Sequence, residues 1–204
     1  MTVGFLALRK GFLRVLGSVI QAALDRGHRV VLLWDGRQSK PGETVSASDL
    51  AAWPGAEPQA FSPFAPLLPL LERLGIQALV APSLHPYLRA TGLEAEMEAI
   101  HRAGVRLYSV DYAFETVTGE PEGYRLVDTT FYTSEHQREL HWRIMADGFA
   151  RLGPGVDRAA RSAVAGSTMM DQLAVVDRAA VRKRYGLASD QPVVLLMSLK
   201  MAVP

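Results

Sequence analysis

The fold is indicated first by residues 3–35, VGFLALRKGFLRVLGSVIQAALDRGHRVVLLWD. The stretch opens on the apolar run 3–8 and closes on a second apolar run, 30–34, and charged or glycine residues follow each run. Between the two runs, apolar residues recur at helical spacing as far as Arg26, and Gly27 then ends the helix. Strand, helix and strand in this order make a parallel βαβ unit. Because two parallel strands need covering on both faces, the stretch predicts an open, mainly parallel α/β sheet with helices on both faces.

The rest of the chain repeats this alternation of apolar runs and helical segments. Residues 37–61 are an exception because they have no clear period, and we expect a long loop there that is a lid, a binding loop or a disordered segment. Pro69 lies too deep for a regular helix starting after Ser62, so a kink or a late start is expected. The remaining strands are predicted at 76–80, 105–110, 129–132, 162–165 and 193–197, with a surface hairpin within 114–127 and capped helices after Thr91, Ser134 and Asp177.

Composition excludes several classes of site. The 204 residues include no cysteine, which excludes disulfides and thiolate metal sites. A net charge of +1 without a clustered basic patch argues against a nucleic-acid partner. No apolar run approaches the roughly 20 residues of a membrane span. Arg9, Lys10 and Arg14 interrupt the apolar N-terminus before a signal-peptide core is complete, so we expect a cytoplasmic protein.

The common cofactor and metal motifs are also missing. The first turn has only Gly11 and Gly17, so it carries neither a dinucleotide-binding glycine motif nor a P-loop. Asp35 stands where a dinucleotide-binding fold places its ribose ligand, but without those glycines the signal is weak. Zinc-protease, nucleophile-elbow and calcium-loop motifs are absent as well. The sequence therefore predicts no cofactor and no metal.

Polar side chains at the predicted strand ends form the candidate site. The carboxyl ends of parallel strands share one edge of the sheet, where open α/β sheets bind ligands. Arg9 and Lys10 suit an anionic ligand by their charge and by the helix N-terminus beside them. His85, Asp111 or His136 could serve as a general base, since deprotonating a hydroxyl needs a carboxylate or a neutral imidazole within reach. The other strand-end candidates for substrate binding are Asp35, Arg37, Glu135 and Ser167.

Two parts of the sequence resemble the GT-B superfamily. LRKGF at 8–12, followed by LDRGHRVV at 24–31, resembles the opening of GT-B glycosyltransferases. The tail resembles the join between the two Rossmann-like halves of that superfamily, and nucleotide-sugar 2-epimerases and teichoic-acid-type glycerophosphotransferases have similar joins. The tail motifs are AGS at 165–167, MDQL at 170–173, RYGL at 184–187 and PVVLL at 192–196.

The resemblance implies the N-terminal, acceptor-binding half of a glycosyltransferase. Residues 1–176 would be a Rossmann-like domain, and residues 177–204 a linker helix and the first strand of a truncated C-terminal domain. In this family the C-terminal half grips the nucleotide-sugar donor, so the chain alone should be inactive. The expected partners are that donor and an acceptor that is a small molecule or a glycan. By position, the family's loop near the acceptor and donor phosphates corresponds to Arg9, Lys10 and Gly11.

Other interpretations of the same pattern stay open. One is half of a nucleotide-sugar 2-epimerase, which has the same architecture. Another is a non-catalytic Rossmann-like module that binds small anions. A third feature concerns assembly, because an exposed apolar terminal strand could pair two copies of the chain as a homodimer.

Overall fold

The computed structural model describes residues 1–35, 44–62, 66–82, 94–111, 126–151, 157–168, 170–171, 177–189 and 192. Within these ranges seven strands form one sheet, and every pair of neighbouring strands is parallel. The strands are β1 (Thr2–Ala7), β2 (Arg29–Asp35), β3 (Glu57–Phe61), β4 (Ala78–Pro82), β5 (Arg106–Val110), β6 (Thr129–Tyr132) and β7 (Ser162–Val164). The helices are α1 (Lys10–Asp25), α2 (Ala47–Leu50), α3 (Leu68–Leu74), α4 (Glu94–Arg102), α5 (Glu135–Ile144), α6 (Ala146–Arg151) and α7 (Arg178–Arg184).

The strand order across the sheet is β3-β2-β1-β4-β5-β6-β7. The chain starts in the middle, builds one half outward to β3, and then returns to build the other half from β4. The order therefore reverses between β1 and β4. In open α/β sheets such a reversal leaves a crevice beyond the carboxyl ends of the strands, and ligands bind there.

Two apolar layers hold the helices on opposite faces of the sheet. Successive strand side chains point to opposite faces, so Phe5 enters one layer and Leu6 the other. The layer around Phe5 packs α1 and α2 through residues such as Leu16, and the layer around Leu6 packs α3 and α4 through residues such as Leu71. Burying each such side chain contributes about 1.5–3 kcal/mol. The predicted α/β fold with helices on both faces is confirmed.

The expectation of a long loop over residues 37–61 is wrong for its second half. Ser46 caps α2 in a reciprocal capping box with Asp49, and β3 then pairs with β2 as an edge strand. An edge strand has only one neighbour, so it tolerates Pro58 and mostly exposed side chains. Such a strand carries no apolar run that would mark it in the sequence. The strand predicted at 76–80 is consequently the fourth strand and not the third.

The helix predicted from Ser62 starts late. It begins at Leu68, so Pro69 lies in the first turn, where its missing N–H costs nothing. Ser62 is therefore not its N-cap, and Gly75 follows its last turn with a φ of 64°, as the C-terminal glycine signal predicts.

The helices predicted near the C-terminus form with modified ends. Ser134 caps α5 as predicted, by accepting a hydrogen bond from the Gln137 N–H. The Gln137 side chain accepts from Thr133 and not from the Ser134 N–H, so a reciprocal capping box of Ser134 and Gln137 is only half made. Asp177 caps α7 as predicted. Within the described ranges no helix is long and apolar enough to cross a bilayer. The predictions at Thr91, 114–125 and 193–204, including the terminal strand that could pair two copies, lie outside the described residues.

Candidate functional site

A buried carboxyl group lies where β5 ends. Side chains alternate along β5, so Leu107, Ser109 and Asp111 share the face that carries α3 and α4. The Asp111 N–H donates to the Phe131 carbonyl at 2.8 Å and extends the ladder to β6 by one residue. The Asp111 side chain is 11% exposed. Ser109 Oγ donates to Asp111 Oδ1 over a long 3.4 Å.

Two further polar side chains complete this group, which we call the Asp111 cluster: Asp111, Ser109, Tyr132 and His141. Tyr132 ends β6, and the tyrosine oxygen lies 2.7 Å from His141 Nδ1. The same Nδ1 is 4.0 Å from Asp111 Oδ2. His141 lies on α5 with only 2% of its side chain exposed. A helix laid over β6 therefore brings an imidazole close to a carboxyl group from the neighbouring strand.

Burial moves the pKa values of the cluster in opposite directions. It raises the pKa of Asp111 to about 7, against a small lowering effect of Ser109. It lowers the pKa of His141 to about 4. Burial, and then the charge of Asp111, raises the pKa of Tyr132 above its usual value. At neutral pH the cluster therefore holds a neutral imidazole beside a carboxyl group that exchanges its proton easily, which is the property required of a general acid or base.

The N-terminus of α1 makes a second polar feature at the carboxyl edge. Arg9 is its N-cap and makes no side-chain cap hydrogen bond, and the first turn contains no acidic residue. Arg9 and Lys10 are exposed, and Lys10 Nζ lies 2.6 Å from Asp49 Oδ1. That contact and Ser46 lower the pKa of Asp49 to about 2. A Cβ at Gly11 would meet no atom of the described residues within 4 Å, so this side of the helix start is not crowded.

The other predicted site residues are spread along the edge. Asp35 ends β2 and is partly buried. Ser167 follows β7, and its carbonyl accepts a hydrogen bond from the Met170 N–H in a turn. Five strand spacings separate β2 from β7 in the sheet order, about 24 Å. One small ligand therefore does not reach both Asp35 and Ser167. By contrast, only two spacings, about 10 Å, separate β1 from β5.

The first turn of α5 holds two further candidates, and their side chains are exposed to solvent, unlike those of the buried Asp111 cluster. These are Glu135 and His136, and Glu135 pairs with Arg138. His85 and Arg37 lie outside the described residues. Among the described residues, no three His, Asp or Glu side chains are grouped so that they could hold a metal ion.

Sequence reasoning missed Tyr132 and His141. Tyr132 is the last residue of its strand and His141 lies about two helical turns into α5, so neither residue follows a strand end. One signal was present, because Gln137 and His141 are spaced i,i+4 and so share one face of the helix. Both are buried in the structure. A polar pair on the face opposite the charged residues of a helix can therefore mark a buried polar site.

No protein-family model matches the chain, and no curated protein sequence matches it either. A solved structure, that of UDP-N-acetylglucosamine 2-epimerase from Rickettsia bellii, is similar in fold, with a TM-score of 0.50 at 14% sequence identity. The match covers 92% of this chain and 52% of that one, so the chain spans about half the length of that protein. At this identity the likeness supports the Rossmann-like α/β fold that the parallel sheet displays, and it extends no further than the fold.

Proposed function

We propose that this chain is the acceptor-binding lobe of a two-lobed enzyme that transfers a sugar from a nucleotide-sugar to an acceptor hydroxyl. The observation that carries the proposal is Asp111, a buried carboxyl group at the carboxyl edge whose pKa is raised to about 7. A base is most effective when its pKa lies near the working pH. Surface carboxylates ionise far below neutral pH and are too weak for this task.

In the proposed reaction, Asp111 accepts the proton of the acceptor hydroxyl. The acceptor oxygen forms a bond to the anomeric carbon of the sugar, and the bond from that carbon to the phosphate oxygen breaks. The nucleoside diphosphate leaves with the electrons of that bond. The proton held by Asp111 then passes to solvent, so the base is ready for another turnover.

The N-terminus of α1 supplies the proposed contact to phosphate. Arg9 and Lys10 place two positive charges beside the first backbone N–H groups of α1, to which the N-cap side chain makes no hydrogen bond. Such a helix end favours an anion by charge and by the helix dipole. The spacing of about 10 Å between β1 and β5 is one that a ligand carrying both phosphates and a sugar can span. The carboxyl edge between these features would face the lobe that holds the rest of the nucleotide.

A second candidate is epimerisation of a nucleotide-sugar at carbon 2. The similar solved structure is a UDP-N-acetylglucosamine 2-epimerase, which favours this chemistry as the alternative. Inverting a sugar carbon requires that its proton is removed and that a proton returns to the opposite face. A carboxyl group with a pKa near 7 can serve that exchange as well as it serves transfer.

One set of assays separates these functions. The complete gene product is incubated with UDP-sugars, with and without sugar and glycan acceptors, in deuterated water. Glycosyl transfer predicts release of UDP that depends on the acceptor. Epimerisation predicts deuterium at carbon 2 without any acceptor, and a non-catalytic anion-binding module predicts UDP binding without either product.

The matching variants are Asp111→Asn and, as a control, Asp25→Asn on the exposed face of α1. We expect Asp111→Asn to lower kcat by about 10²–10⁴-fold. Asp25→Asn should leave turnover unchanged, because Asp25 is exposed and, within the described part of the chain, its side chain bonds to Gln21 of the same helix. Turnover that survives in Asp111→Asn would contradict the role of this carboxyl group.

A further inference from the structure

The contact that joins Tyr132 to His141 is the shortest in the Asp111 cluster. The tyrosine oxygen lies 2.7 Å from His141 Nδ1. Burial raises the pKa of Tyr132 above its usual value, so the hydroxyl keeps its proton at neutral pH and can donate it to Nδ1. An imidazole that accepts at Nδ1 carries its own proton on Nε2.

We infer that Tyr132 is a positioning residue that keeps His141 neutral, so that Asp111 remains able to exchange its proton. Nδ1 is the His141 nitrogen that lies 4.0 Å from Asp111 Oδ2. A second proton, added to Nδ1 while Nε2 keeps its own, would create an imidazolium beside a carboxylate. An opposite charge within about 4–6 Å lowers a carboxyl pKa by roughly 1–3 units. By occupying the Nδ1 lone pair, the Tyr132 hydroxyl prevents that ion pair.

The groups that act on the cluster come from three elements. β5 contributes Ser109, whose hydroxyl donates to Asp111. β6 contributes Tyr132 itself, and α5 contributes His141 and Arg138. Arg138 opposes the rise in the pKa of Tyr132 and is paired with Glu135. The imidazole therefore lies close to one carboxyl group and one hydroxyl group, and its bond to the hydroxyl adds to the burial that keeps it neutral.

The role of Tyr132 is tested by NMR titration of the chain without any substrate. In the unmodified chain, ¹⁵N shifts of His141 should show the proton on Nε2. In Tyr132→Phe, the ¹³C carboxyl shift of Asp111 should report a pKa lower by about one unit or more, and the pKa of His141 should rise. The double variant Tyr132→Phe/His141→Gln should return the pKa of Asp111 to its original value, since no cation can form.

The control variant is Tyr108→Phe, which removes a hydroxyl from the opposite face of β5, where the ring packs near Phe131. It should leave the pKa of Asp111 unchanged. The inference is overturned by an Nδ1–H tautomer in the unmodified chain, by an unchanged Asp111 in Tyr132→Phe, or by an equal fall in the double variant. The tautomer measurement needs no variant, so it decides the matter even if Tyr132→Phe fails to fold.

This inference rests on the proposed function in one respect, which is that Asp111 is the group that accepts the proton of the acceptor hydroxyl. If the NMR results are as expected but Asp111→Asn retains turnover, the proposed function fails and the coupling within the cluster stands. If Asp111→Asn is inactive but Tyr132→Phe leaves the pKa of Asp111 unchanged, the reverse holds. In an active enzyme, Tyr132→Phe should also move the acidic limb of the kcat/KM profile to lower pH by the same one unit or more.

Discussion

The opposite pKa shifts of Asp111 and His141 predict how stability depends on pH. Burial raises the pKa of Asp111 from 3.8 to about 7, so the folded chain keeps a proton that the unfolded chain releases. The stability from this proton is complete below pH 3.8 and is lost as pH rises through 7. Burial lowers the pKa of His141 from 6.5 to about 4, so here the unfolded chain binds the extra proton. This contribution is complete above pH 6.5 and is lost as pH falls through 4.

Between pH 4 and 6.5 the two contributions oppose each other. Each corresponds to one proton, or up to about 1.4 kcal/mol per pH unit, so in the unmodified chain they nearly cancel. Asp111→Asn leaves only the contribution of His141. As pH rises from 4.5 to 6.5, the free energy of unfolding of this variant minus that of the unmodified chain should therefore increase by about 2 kcal/mol. His141→Gln leaves only the contribution of Asp111, and the same difference should decrease by about 2 kcal/mol over the same range.

The measurement is urea unfolding followed by circular dichroism at pH 4.5, 5.5 and 6.5. Each variant is compared with the unmodified chain at the same pH, so that the other titrating groups cancel. Asp25→Asn serves as the control, because it makes the same change of carboxyl group to amide on the exposed surface of α1. If the differences for Asp111→Asn and His141→Gln change with pH no more than the difference for this control, the reasoning about burial of this pair is refuted.

Three further predictions concern packing and the α1 N-terminus. Gly4→Ala would bring a Cβ to 3.0 Å from Ile76 Cδ1, so it should destabilise the chain by about 1–3 kcal/mol in urea unfolding. Leu71→Ala leaves a cavity at a fully buried position on the sheet-facing side of α3, and it should lower the free energy of unfolding by about 2–5 kcal/mol in the same measurement. Asp49→Asn releases Lys10 from its 2.6 Å contact and should strengthen UDP binding a few-fold in calorimetry at low salt.

Matched variants make these results interpretable. Gly11→Ala adds a Cβ in open space on α1, so it should not destabilise the chain, whereas Gly4→Ala should. Glu57→Gln breaks a comparable exposed contact with Arg29 at the amino edge and should leave UDP binding unchanged. Equal effects of Asp49→Asn and Glu57→Gln on binding would show that Lys10 has no special place in the anion site.

The first three elements could be predicted because local and tertiary requirements agree there. β1 and β2 are buried on both faces, so each reads as a continuous apolar run. Gly27, with a φ of 72°, separates α1 from β2 and marks that boundary in the sequence. β3 could not be predicted in this way, because its formation depends on backbone pairing with β2 and its own side chains are largely exposed.

The sequence by itself determined the βαβ start, the parallel class of the sheet and the presence of Asp111 at a strand end. These follow from periodic burial and from turn residues, which are properties of neighbouring positions in the chain. Only the tertiary structure decided that His141, thirty residues beyond Asp111, lies 4.0 Å from it and that Tyr132, at the end of β6, contacts the imidazole. The physical reason is that a pKa depends on solvent exclusion and on charges a few ångströms away, and both are set by how α5 packs over β5 and β6.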